Sequence, residues 1–156
     1  MLEKQFVLFK INNEVYGIDV MEIREIAPYQ KIDQIPNAPL HIVGVTNFRG
    51  QITPVINIKE LFNFNNKITK DERLIVVSRD KKQIGFLVDK ACGILKLKEE
   101  EIEKSSQIIV ELNEDFISGI GKKDDKLIFI INLSRIIELK SVQNVDQIDL
   151  QISEKI

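Results

Sequence analysis

Apolar runs and polar breaks alternate along the first part of the chain at a spacing typical of short β-strands. Residues 5–11 and 14–18 are mostly apolar and flank an Asn-Asn pair. Because Asn tolerates a positive φ, this pattern predicts a β-hairpin. The Asp19–Glu22 segment has the spacing of a capping box, which predicts a short helix with Ala27 in its last turn and Pro28 at its end.

A second hairpin is predicted over the next apolar stretch. The runs 42–48 and 51–58 are joined by Arg49-Gly50, where glycine supplies the positive φ that a tight turn needs. Residues 59–62 then predict one closing helical turn.

The second half of the chain repeats this arrangement. Residues 73–79 and 83–89 predict a hairpin across a charged turn. Residues 54–62 and 129–137 each combine an apolar strand, an Asn and a short helical segment, which indicates a duplicated five-stranded unit. The polar stretch 63–72, rich in Asn and Lys, predicts the boundary between the halves.

Short strands with frequent turns favour small barrels or sandwiches over βαβ units. The runs 6–9 and 128–131 are apolar without alternation, which predicts that both of their faces are covered. The composition agrees, since 27 Ile and only 3 Ala favour strands over helices. We therefore predict a mainly β domain over 4–140, built from two intertwined barrel halves that can exchange strands, and a tail or short helix over 141–156.

Charge and hydropathy exclude several classes of function. The chain has 22 basic and 24 acidic residues, so it lacks the basic surface that attracts nucleic acids or anionic membranes. Its apolar runs are far shorter than the roughly 20 residues that a membrane span needs. The N-terminus has no signal-peptide pattern, and a single cysteine makes no internal disulfide, so we expect a reducing, cytoplasmic setting.

Candidate catalytic groups are sparse. No motif pairs His41 with Cys92 as base and nucleophile, and we interpret them as a packing or surface histidine and a small buried cysteine. Ligands for zinc are too few, and Gly119–Gly121 lacks the rest of a nucleotide-binding loop. The acidic run Glu99–Glu101 favours a solvated helix start over a cation site. We predict no catalytic residue, no metal and no cofactor.

Motifs in both halves of the chain resemble those of CheW-like coupling domains. The resemblance rests on GVTNFRGQITPVINIKELF at 44–62, EVYGIDVMEIREI at 14–26 and IPNAP at 35–39. The segments at 84–95 and 116–137 resemble the second barrel of the same family, so the resemblance covers nearly the whole chain.

The resemblance implies a fold, partners and a location. Members of the family are two five-stranded SH3-like β-barrels packed around a shared hydrophobic interface, without catalytic activity. They couple the cytoplasmic signalling tips of chemoreceptors to the regulatory domain of the histidine kinase CheA. The chain is then expected to be a chemotaxis adaptor, monomeric in isolation, that is recruited from the cytoplasm to membrane-associated receptor arrays. No nucleic-acid partner and no membrane insertion are expected.

Six candidates for the receptor or kinase interface follow from the resemblance: Ile23, Glu25, Val45, Asn47, Arg49 and Gly50. The last three match the Asn-x-Arg-Gly element of the family, and Glu25 matches a position implicated in receptor coupling. For Ile23 and Val45 a place in the core is an equal alternative. Arginine is enriched at interface hot spots, although a solvated turn arginine also fits the position of Arg49.

Two other functions remain open at this point. The chain could be an adaptor for a chemosensory pathway with a non-flagellar output, which neighbouring genes would distinguish. It could also be a small-molecule-binding β-barrel, whose mark would be a deep polar pocket with a strongly perturbed titrating group.

Overall fold

The structure, a computed structural model, describes residues 3–11, 13–38, 42–61, 72–79, 81–104 and 116–137. These residues contain the following strands: β1 (Glu3–Ile11), β2 (Glu14–Asp19), β3 (Glu25–Pro28), β4 (Ile42–Phe48), β5 (Gln51–Asn57), β6 (Arg73–Arg79), β7 (Lys82–Val88), β8 (Lys90–Lys98), β9 (Ile102–Glu103), β10 (Ile117–Lys123) and β11 (Lys126–Ile131). Two short α-helices follow β5 and β11: α1 (Ile58–Leu61) and α2 (Leu133–Ile137).

The strands form two sheets, and each sheet takes strands from both halves of the sequence. The first sheet has the order β8-β1-β2-β11-β10-β9, and the second has the order β3-β6-β7-β5-β4. Neighbouring strands are antiparallel except for the pairs β2–β11 and β5–β7, which are parallel. Each parallel pair joins one strand from the first half to one from the second. The predicted mainly β fold with two subdomains is confirmed, with the two-residue β9 as a sixth strand of the first sheet.

The prediction of a helix after β2 is wrong except for one initial turn. The Asp19 carboxylate does cap a turn, because its Oδ1 accepts a 3.0 Å hydrogen bond from the backbone N–H of Met21. That turn is a 3₁₀ helix over Val20–Glu22 only, and Ile23 is already extended. β3 then pairs with β6 and buries Ala27 in the second sheet. Pairing with β6 satisfies the backbone of β3 and places Ala27 in the core of the second sheet, so tertiary contacts override the local helix signal.

Two hairpin tips are tight two-residue turns. Arg49 and Gly50 in the β4–β5 turn have φ values of 51° and 79°, and Asp124 and Asp125 in the β10–β11 turn have 52° and 62°. Two successive positive φ values are typical of type I′ turns, whose twist matches the strands that they join. The predicted β4–β5 hairpin is therefore confirmed, and its turn holds Arg49 at an exposed end of the second sheet.

The two asparagines in the repeated segments have matching roles. The Asn57 Oδ1 accepts a 2.9 Å hydrogen bond from the backbone N–H of Lys59, and the Asn132 Oδ1 accepts one of 3.3 Å from that of Arg135. Each asparagine thus caps the short helix that follows its strand. This local equivalence explains why the two segments resemble each other in sequence.

An apolar core between the sheets holds them together. It combines fully buried side chains of the first sheet, such as Phe9 and Ile18, with Ile56 and Phe86 of the second. A separate cluster around Leu74 fills the second sheet, and a smaller one lies within the first. Each sheet therefore has its own small core and shares a larger one.

Some sequence predictions lie outside the described residues. These are the tail over 141–156, the histidine at position 41 and, apart from Glu72, the boundary at 63–72. Among the helices in the described part of the chain, none has both the length and the apolar character to cross a membrane.

The contact between β4 and the backbone of Asp33 leaves no room for a side chain at Gly44. Val45 exchanges backbone hydrogen bonds of 2.7 and 2.9 Å with Asp33, and a Cβ on Gly44 would overlap the carbonyl oxygen of Asp33. We expect Gly44→Ala to lower the free energy of unfolding by about 3 kcal/mol in urea denaturation, because the backbone must move. Gly50→Ala, which meets open space and carries only the cost of its positive φ, should lose about 1 kcal/mol. An equal loss in both variants would contradict this account.

Candidate functional site

Three of the six interface candidates meet at one end of the second sheet. Arg49 and Gly50 form the β4–β5 turn, and Glu25 begins β3. The Arg49 guanidinium donates two parallel hydrogen bonds to the Glu25 carboxylate, of 2.7 Å from Nε to Oε1 and 2.6 Å from Nη2 to Oε2. This Arg49–Glu25 pair is bidentate, a geometry that only arginine can make and that fixes the orientation of both groups.

The Arg49–Glu25 pair perturbs the titration of both groups. The hydrogen bond from Arg49 holds the pKa of the Glu25 carboxyl below its usual range, and the positive charge of Arg24 adds to this effect. The same hydrogen bond raises the pKa of Arg49. The side chains of Arg49 and Glu25 are 64% and 31% exposed, so water screens their attraction and the pair adds little to stability. Exposure also leaves the guanidinium accessible to a partner.

Residues beneath the pair hold its two strands in place. Phe48 is buried, and its ring centroid lies 5.4 Å from the guanidinium carbon of Arg49, within the range of a cation–π contact. The backbone N–H of Arg24 donates a 2.8 Å hydrogen bond to the carbonyl of Val76 on β6. The guanidinium of Arg24 donates another, of 3.0 Å, to the side-chain oxygen of Gln83 on β7.

Sequence analysis missed both Arg24 and Gln83 as parts of this region. Arg24 had one available signal, its position next to Glu25. Gln83 had none, because it lies 59 residues from Arg24 along the chain and meets it only when β3 and β7 enter the same sheet.

The other three candidates have different surroundings. Ile23 and Val45 are half-buried and pack against the core between the sheets, which favours the core alternative for both. Asn47 is exposed on β4, two residues before Arg49. The structure therefore brings together Glu25, Arg49 and Gly50, leaves Asn47 exposed on the strand that leads into the turn, and gives Ile23 and Val45 packing contacts.

Exposed aliphatic side chains accompany the pair on its own strands. Ile26 follows Glu25 on β3, so its side chain points to the other face of that strand, and it is 37% exposed; Ile52 on β5 is 40% exposed. Ile52 lies opposite Asn47 in the β4–β5 register. Charged groups beside exposed aliphatic groups are typical of protein-binding surfaces, in which apolar contacts supply affinity and charges direct the choice of partner.

The described residues contain no group of three His, Cys, Asp or Glu side chains that could hold a metal ion. Cys92 is exposed, so its interpretation as a buried cysteine was wrong. Most of β8 is exposed or half-buried, and Cys92 lies at an irregularity in its register with β1, between Gly93, which pairs with Leu8, and Ala91, which pairs with Phe9. The acidic run Glu99–Glu101 forms one surface turn of 3₁₀ helix, in line with the predicted solvated helix start.

A groove of about 470 Å³ lies on the first sheet, and its lining includes four buried apolar side chains: Phe6, Leu97, Ile130 and Ile131. The strongly perturbed titrating group of this sheet is elsewhere. Burial raises the pKa of Tyr16 to about 12, and Tyr16 packs in the core beside the rings of Phe9 and Phe129. The groove and the perturbed group thus do not coincide, and a small-molecule-binding barrel gains no support from them.

The depressed pKa of Glu25 predicts a pH-dependent effect of Arg49. We expect an NMR titration to place the Glu25 pKa below the usual glutamate range, and Arg49→Ala to return it to that range. Because ionised Glu25 is the favoured form in the folded protein, the stability difference between wild type and Arg49→Ala should be complete above the ordinary glutamate pKa. It should vanish as the pH falls through the folded-state pKa. In the background of Glu25→Gln this pH dependence should disappear; its persistence would assign the effect to another group.

Comparisons with known proteins agree with the geometry of the sheets. The family model for the CheW-like domain matches residues 5–141. The chain is 29% identical to the chemotaxis protein CheW of Klebsiella aerogenes over 93% of this chain and 88% of that one. It is 28% identical to CheW of Bacillus subtilis over 90% of this chain and 91% of that one.

A solved structure extends the likeness to three dimensions. The scaffolding protein TtCheW from Thermoanaerobacter tengcongensis matches with a TM-score of 0.81 and 33% identity, over 90% of this chain and 96% of that one. The residues matched by the family model include the strands and the turn that carry the Arg49–Glu25 pair. The chain belongs to the CheW-like domain family.

Proposed function

We propose that the chain is a chemotaxis scaffold that joins chemoreceptor signalling tips to the regulatory domain of the kinase CheA. The observation that carries this proposal is the exposed Arg49–Glu25 pair on a sheet that also exposes aliphatic side chains, in a chain of the CheW-like family. The relatives are named chemotaxis proteins, and the matching structure is named a scaffolding protein. The scaffold acts by holding partners and performs no catalysis, and it uses no cofactor.

The Arg49–Glu25 end of the second sheet is the proposed receptor-contacting surface. A receptor tip is a pair of helices, which presents aliphatic side chains at helical spacing and polar groups between them. Ile26 and Ile52 offer aliphatic contacts, and the guanidinium of Arg49 offers donors to a carboxylate or a backbone carbonyl. Glu25 keeps that guanidinium in one orientation before the partner arrives, which lowers the entropy cost of binding.

The scaffold is proposed to be a cytoplasmic monomer that joins membrane-associated receptor arrays through its partners. Individual contacts can be weak in such an assembly, because binding one partner raises the effective concentration of the next. A pathway with a non-flagellar output uses the same binding chemistry, so the receptors and kinase encoded beside the gene distinguish that alternative.

Binding to two separate partners is the direct test of the proposal. We expect calorimetry to show saturable binding of the purified chain to the CheA regulatory domain and to a receptor signalling-tip fragment from the same organism, each at roughly micromolar strength. A mixture of the three should form one complex, because a scaffold holds both partners at once. Binding to neither partner, or mutually exclusive binding, would overturn the proposal.

Replacement of Arg49 should separate the two interactions. We expect Arg49→Ala to fold normally by circular dichroism, to bind the receptor fragment about tenfold more weakly and to keep its affinity for the kinase domain. The matched control is Lys126→Ala, which removes an exposed cation beside the equivalent turn of the first sheet and should leave receptor affinity unchanged. Unchanged receptor binding by Arg49→Ala would remove the pair from the interface.

A further inference from the structure

Gln83 on β7 is a buried polar side chain that contacts both strands carrying the Arg49–Glu25 pair. It is 2% exposed. Its Nε2 donates hydrogen bonds of 3.3 Å to the carbonyl of Phe48 and 3.1 Å to the hydroxyl of Thr53, and its Oε1 accepts the 3.0 Å bond from Arg24. Both amide donors and the amide oxygen therefore have partners in the folded protein.

The chemistry of these partners fixes the orientation of the Gln83 amide. The guanidinium of Arg24 can only donate, and the carbonyl of Phe48 can only accept. A flipped amide would place donor against donor and acceptor against acceptor. The side chain thus has one arrangement that satisfies all of its contacts, which makes it a rigid connection.

The contacts of Gln83 bracket the Arg49-Gly50 turn on both sides. Phe48 immediately precedes Arg49, and Gln83 bonds to its carbonyl directly. Thr53 links Gln83 to the β5 side of the turn, because the Thr53 hydroxyl donates a 3.1 Å hydrogen bond to the carbonyl of Gln51, the residue that follows the turn. The third contact, Arg24, immediately precedes Glu25. Every backbone segment that carries the pair is therefore tied to this one amide.

We propose that Gln83 is a positioning residue for the Arg49–Glu25 surface: its buried amide sets the β4–β5 turn and the start of β3 in the register at which Arg49 and Glu25 meet. The proposal deepens the proposed function, because it assigns a residue that touches no partner to the preorganisation of the receptor-contacting surface. Its geometric part does not require that the partner be a receptor.

Gln83→Met is the primary test, since methionine has a similar size and lacks the amide. We expect the NMR-measured pKa of Glu25 to rise towards its usual range and receptor affinity to fall about tenfold, as for the loss of one charge-assisted hydrogen bond. The matched control is Thr46→Val. It removes a different buried hydrogen bond of the same hairpin, of 2.8 Å to the carbonyl of Lys31, and should lower stability without moving either readout.

A double variant separates positioning from general loss of stability. If Gln83 acts through Arg49, adding Gln83→Met to Arg49→Ala should weaken receptor binding no further, while the loss of stability persists. Full additivity in binding would overturn the proposal. If Gln83→Met does not fold, Thr53→Val cuts the same connection on the β5 side and should shift the Glu25 pKa in the same direction.

The two readouts keep this proposal distinct from the proposed function. If the wild-type chain binds no receptor fragment and Gln83→Met still raises the Glu25 pKa, positioning is supported and the receptor role is refuted. If wild type binds the receptor fragment, and Gln83→Met changes neither the Glu25 pKa nor the receptor affinity, positioning alone is refuted.

Discussion

Packing of the two sheets across one apolar core is the constraint on which the rest of the structure depends. Neither sheet can complete its ladder from one half of the chain, because β2 pairs with β11 and β5 pairs with β7. The exchanged strands bring buried side chains such as Phe9 and Phe86 into one core. Unpaired backbone groups and exposed apolar surface are both costly, so the two sheets stabilise each other.

The Arg49–Glu25 pair is a product of that arrangement. It is mostly exposed and contributes little to folding, yet it sits on a turn and a strand that buried groups hold from below. A rigid support beneath an accessible charge suits a protein that recognises partners. The folded protein then presents the guanidinium in a defined orientation, and binding does not have to order it.

A scaffold places different demands on a sequence from those of an enzyme. The described residues carry an exposed ion pair, Arg49–Glu25, and exposed aliphatic side chains on the same sheet. Such a surface needs complementarity in shape and charge. Many weak contacts of this kind can support an ordered assembly.

Local patterns by themselves determined several of the strands and turns, while tertiary contacts decided the remaining elements and how all of them combine. The β4–β5 and β6–β7 hairpins were predictable because period, apolar content and turn residues act within a few positions. The matching segments at Asn57 and Asn132 were predictable for the same reason. Glu25 joins a strand instead of a helix because β3 pairs with β6, which is distant in sequence. Gln83 reaches Arg24 because β3 and β7 enter the same sheet. Such long-range pairing leaves no local signal in the chain.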